Sequence, residues 1–290
     1  MDMDTAKIMA IKRPRRRTER RTRGRRVVRE GAPPPTQLLL DSQLRGNERE
    51  EGGFAKRKAV AVGDLNAADL YRLMAWLSPS YPIGAFSYSS GIEWVVEAGD
   101  ITDAATLERW LGVMISDGSG FCDAVFFSHA HRAVAKSDDG ALRAVAELAA
   151  AFAASRERHL ETTAQGRAFL DTTRAAWPTA VIDRLLLVYD GAVALPVAVA
   201  VASAGHGIAL VPALYAYLQA LTANLVSAGV RLIPLGQTDG QRILSALEPL
   251  LAATAERALA AALDVVGGAA FRADLASMRH ETQHMRLFRS

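Results

Sequence analysis

The sequence predicts an all-α fold, a compact multi-helix bundle behind a disordered basic leader. Three observations predict it. Alanine is abundant and β-branched runs are few. Apolar residues recur at a spacing of 3.6 more often than 2. Connections such as Ser137-Asp138-Asp139-Gly140 are short, which suits antiparallel helical neighbours. With 290 residues, half of them hydrophobic, the chain can build one domain with a sizeable core.

Each element follows in order. Asn66 can cap a first helix whose Leu70, Leu73, Met74 and Leu77 form one apolar face, and Pro79 and Pro82 stop it. Ser87 can cap a second helix carrying Ile92, Val95 and Val96, which Gly99 ends. Further helices are expected at 102–116, 122–135, 140–155, 161–175, 191–203, 208–228 and 237–263. Between Gly191 and Val230 only His206 can carry a charge at neutral pH. The first apolar helix there is shorter than the ~20 residues that span a bilayer. The second carries Gln219, Thr222, Asn224 and Ser227. A core or subunit-interface helix fits this stretch better than a membrane hairpin. Tyr215, Tyr217 and Leu218 are therefore candidates for an oligomer seam.

Charge divides the chain. Residues 1–58 hold 17 of the 34 Lys and Arg but only 8 of the 31 Asp and Glu, so the remainder is acidic. The arginine runs and Pro33-Pro34-Pro35 offer too little apolar surface to order themselves. Residues 1–60 are expected to be a disordered leader, dispensable for activity. They lack the apolar stretch of a secretory signal and the aromatic interleaving of an RNA-binding arm. The domain is expected over 61–271, with a separate tail at 272–290. The single Cys122 excludes an internal disulfide and a cysteine-based metal centre. Without a signal peptide, it points to the cytoplasm.

A catalytic constellation is not visible. The one Lys before a Ser or Thr is Lys136, preceded by Ala135, so no Walker A loop exists. His129 and His131 point to different sides of a helix. Glu93 and Glu97, an i, i+4 pair, read as a solvated face. His280-Glu281-Thr282-Gln283-His284 fits the zinc-peptidase pattern H-E-x-x-H. None of the six residues after His284 is a His, Asp, Glu or Cys that could supply the third ligand downstream.

Three segments resemble one family. Leu77-Ser78-Pro79-Ser80-Tyr81-Pro82-Ile83-Gly84-Ala85-Phe86-Ser87-Tyr88-Ser89-Ser90-Gly91-Ile92-Glu93 is similar to the opening motif of the urease accessory protein F (UreF) family. Ala228-Gly229-Val230-Arg231-Leu232-Ile233-Pro234-Leu235-Gly236-Gln237 is similar to its late central motif. Ala276-Ser277-Met278-Arg279-His280-Glu281-Thr282-Gln283, with Arg286-Leu287-Phe288-Arg289-Ser290, resembles its terminus. Ala85 stands where the family usually has Gly, Ile92 where it has Leu, and His284 where it has Tyr.

The resemblance implies a non-catalytic urease maturation factor that dimerises, binds accessory protein D (called H in some species) and recruits the GTPase accessory protein G. The assembly delivers nickel to apo-urease. By resemblance, the partner-binding residues are Pro82, Gly84, Phe86, Ser87, Tyr88, Gly91, Glu93, Arg231, Pro234, Gly236, Gln237, Arg279, His280, Glu281, Gln283 and Phe288. No stably bound cofactor is expected, and GTP belongs to the partner. Nickel passes transiently, with His280 and His284 as the pair placed to hold it. Nucleic acid and membrane are not expected partners. The tail mixes charges with Met278, Met285, Leu287 and Phe288, and is expected to order on binding D/H. A metal-dependent hydrolase and a membrane component are the alternatives.

Overall fold

The computed structural model describes residues 65–290, so the expected leader lies outside the described residues. Eleven α-helices and no strand occur among them. They are α1 (Ala67–Trp76), α2 (Ile92–Glu97), α3 (Ala104–Ser116), α4 (Ser119–Ala135), α5 (Asp139–Ala151) and α6 (Arg156–Ala176). After these come α7 (Ala180–Val188), α8 (Leu195–Gly205), α9 (Leu210–Leu232), α10 (Gln237–Ala260) and α11 (Phe271–His280).

Local chemistry sets the boundaries. Asn66, Asp103, Asp138 and Ser155 each accept hydrogen bonds from first-turn amides, satisfying donors that a helix start leaves free. Asp103 and Thr106 complete a reciprocal capping box. Gly99 ends α2 with φ +80°, as expected of a C-terminal glycine. The expected Ser87 cap is not observed. Ser87 lies in a short 3₁₀ turn, and Gly91, in the left-handed region, is the residue that precedes α2. The sequence reading also omitted α7 and α11.

α8 is the central helix, and Pro196 to Ser203 are buried without interruption. It packs on α4 and α6. A Cβ on Gly166 of α6 would collide with the Val193 carbonyl, so only glycine permits this approach. Among the described residues α9 alone is long and apolar enough to cross a membrane. It packs against α10, α4, α8 and α3, which is the buried placement expected for this stretch.

The apolar face assigned to α1 is divided. Leu73 and Trp76 enter the core, whereas Tyr71 and Met74 are 68% and 67% exposed and Leu70 is exposed beside them. The proposed seam on α9 is corrected too. Leu218 is fully buried within the fold, and Tyr217 packs on Phe127 and donates to Asp123. Tyr215 is half-buried, its hydroxyl donating to the Ala252 carbonyl. Core packing consumes Tyr217 and Leu218, whereas Tyr215 stays partly exposed.

Candidate partner-binding site

The three motifs, far apart in sequence, meet where the tail folds back over α2, the opening loop and α6. Gly91 makes this possible. Its φ is +84°, and a Cβ there would stand 2.7 Å from the Ser277 amide nitrogen of α11. Glycine therefore serves both the turn and the contact.

Glu93 follows in the first turn of α2 and is only 8% exposed. Its carboxylate accepts from the Leu287 and Phe288 amides and faces Nε2 of His280 at 3.1 Å. The expectation of a solvated Glu93–Glu97 face is thus corrected for Glu93. A buried carboxylate needs such partners, since an unpaired charge away from water is costly. Glu97 remains exposed and accepts from Gln283.

His280 has no solvent exposure. Nδ1 lies 2.6 Å from Glu157, which also receives Arg286 at 2.6 Å. Each ring nitrogen faces a carboxylate oxygen, Nδ1 that of Glu157 and Nε2 that of Glu93. The proposed nickel pair is not formed. α11 ends at His280, His284 is exposed beyond it, and both ring nitrogens are already occupied. The H-E-x-x-H segment is therefore not a continuous helical face. Among the described residues no group of three or more His, Cys, Asp or Glu could hold a metal ion.

The last residues are held by backbone as well as side chains. The Arg289 amide donates to the Ser87 carbonyl at 2.8 Å, and both the amide and hydroxyl of Ser89 donate to the Ser290 carbonyl. The Ser290 hydroxyl donates to Glu161 at 2.6 Å, and Glu161 pairs with Arg158 at 2.6 Å. Sequence reasoning missed Glu157, Arg158 and Glu161. The central motif joins through Arg231. Its guanidinium stacks 3.6 Å from the Phe86 ring centroid and 4.4 Å from that of Phe288. Nη1 donates to the Phe86 carbonyl, and burial pulls the pKa down from its ordinary value. Its role thus exceeds that of a cation at a helix C-terminus.

The other candidates surround this centre. Tyr88 is buried, Pro82 is exposed, and Gly84 has φ +72°. Pro234, Gly236 and Gln237 form the exposed turn into α10. Arg279 stacks on Trp94, and Glu281 accepts from the Arg156 amide at 2.9 Å. The tail is therefore docked in cis, a correction to the expectation that it orders only on a partner. Its outer side presents Phe271, Leu275, Met278, Met285 and Leu287, all exposed.

The UreF family model matches residues 101–248. UreF of Rhodopseudomonas palustris strain HaA2 is 61% identical over 234 residues, covering 80% of this chain and 99% of the relative. The chain belongs to the UreF family. UreF of Rhodopseudomonas palustris strain BisB18 is 60% identical over 231 residues, covering 80% of this chain and 96% of that protein. The same protein from Bradyrhizobium sp. strain BTAi1 is 60% identical over 232 residues, with 80% and 96% covered. As a UreF protein it is a non-catalytic accessory factor that supports urease maturation. The family-model match contains Arg231, Pro234, Gly236 and Gln237, but neither the opening motif nor the tail.

Proposed function

We propose that this UreF-family protein acts in the cytoplasm as a dimeric adaptor of the urease maturation complex. It binds accessory protein D/H and recruits the GTPase accessory protein G to apo-urease. The supporting observation is the convergence of the three motifs on the docked tail. D/H engages the exposed side of α11 and the tail, where five apolar side chains form the contact surface and the buried polar contacts fix its shape. Arg231 and the turn through Gln237 face accessory protein G. GTP stays with that partner, nickel is handled transiently by the complex, and this chain keeps no cofactor of its own.

Truncation after Ala276 tests the reading. The truncated chain is expected to stay soluble and helical by circular dichroism but to lose co-purification with D/H. Retained co-purification would remove the tail from the interface.

Dimerisation is assigned to α1, whose Leu70, Tyr71 and Met74 form an exposed apolar cluster. Tyr71→Glu combined with Met74→Glu is expected to give a monomer by light scattering at unchanged helical content. A dimer that survives both charges would place the seam elsewhere.

A further inference from the structure

We infer that the docking of the C-terminal tail is acid-responsive, set by Asp123 in a cavity that joins the core to the tail helix. The cavity, about 270 Å³, lies between α4, α6 and α11 and is lined by Ser90, Asp123, Arg158, Asp274 and Ser277 among others. Three carboxylates from three helices cluster about one guanidinium there. Asp123 comes from α4, Glu161 from α6 and Asp274 from α11, and the cation is Arg158. The groups facing Asp123 are the Tyr217 hydroxyl, which donates to it at 2.9 Å, Arg158, and Glu161. Its neighbour Cys122, with a thiol pushed up to about 12 by burial, stays protonated throughout. Asp274 and Ser277 bring α11 to the same cavity, and Glu161 carries the Ser290 hydroxyl.

Burial, reinforced by Glu161, raises the Asp123 carboxyl to about 6 despite Arg158 and Tyr217. α11 covers one side of the cavity with Asp274 and Ser277, so the docked tail leaves Asp123 less hydrated and raises this pKa relative to the undocked state. The sign follows from linkage. A group with a higher pKa in the docked state favours docking at low pH, and that contribution is lost as pH rises through about 6. Burial raises the Asp274 carboxyl of α11 as well, so its protonation adds to docking in the same direction.

Amide hydrogen exchange at Leu287 and Phe288 of the isolated full chain, expressed as protection relative to the unstructured rate, tests this directly. Between pH 7.5 and 5, protection is expected to rise about fivefold, as a difference of one pKa unit between the two states gives over that range. Core amides of α9 serve as the reference. Asp123→Asn should give high tail protection at both pH values. Tyr217→Phe removes a hydrogen bond that lowers the Asp123 pKa and should move the transition to higher pH. It provides a second reading if the Asn variant folds poorly. A pH response undiminished in Asp123→Asn, or a midpoint unmoved in Tyr217→Phe, would overturn the inference. No partner protein takes part, so a failed D/H interaction cannot be mistaken for a failed switch.

Discussion

Glu93→Ala is expected to free the tail from residue 281 onward while leaving the core helices folded. The substitution deprives His280, Leu287 and Phe288 of their shared acceptor and leaves an imidazole and two amides to find new partners. Each buried donor left without an acceptor costs about 1–3 kcal/mol, and three would be left together. That exceeds the ~1 kcal/mol net return of a typical remaining hydrogen bond, so docking should fail as a unit. Limited proteolysis at Arg286 and Arg289 will report release, and circular dichroism will report the core. Glu93→Gln keeps the volume and one acceptor oxygen, and should release the tail only in part. Equal protection from cleavage in Glu93→Ala and the parent would show that Glu93 does not hold the tail.

Gly91→Ala should have the next largest effect, and Gly84→Ala provides its control. Both glycines lie in the left-handed region, at φ +84° and +72°. An alanine pays roughly 1–2 kcal/mol for that conformation at either position. At Gly84 nothing lies within 4 Å of the new Cβ, so backbone strain is the whole effect. At Gly91 the Cβ also meets the Ser277 backbone at 2.7 Å, and that backbone cannot rotate aside as a side chain could. α11 must shift, carrying His280 with it. Thermal melting should place Gly91→Ala below Gly84→Ala, and the Gly91 variant alone should lose tail protection. Matching behaviour of the two variants would mean that the α2–α11 approach is looser than described.

Much of the fold was legible because its signals are local. Asn66 and Gly99 act at the positions that capping chemistry requires, and the uncharged stretch from Gly191 to Val230 supplies the buried α8 and α9. α7 was legible in principle, since Thr179 after Pro178 caps it. The site was legible only in part. A carboxylate on a short helix reads as solvated when its donors lie 187 to 195 residues away. Helical spacing groups Leu70 with Leu73 and Met74, yet it cannot say which of them faces the core. Tyr217 was misread for the same reason. An aromatic in an uncharged helix suits an interface and a core equally, and the Asp123 acceptor that decides for the core belongs to another helix.

The ties between Ser89 and Ser290 span 201 residues. Long-range contacts of this kind close late, after the intervening chain has paid its ordering entropy. On a ribosome adding about 5–20 residues per second, α1 to α10 are made before residues 281–290 and can collapse first. The surface that joins the three motifs therefore cannot assemble until residues 287–290 have been made. A chain interrupted before Leu287 would hold most of its core and still lack the two amides that engage Glu93. Docking of this segment therefore requires that α2 and α6, its two supports, already stand in place.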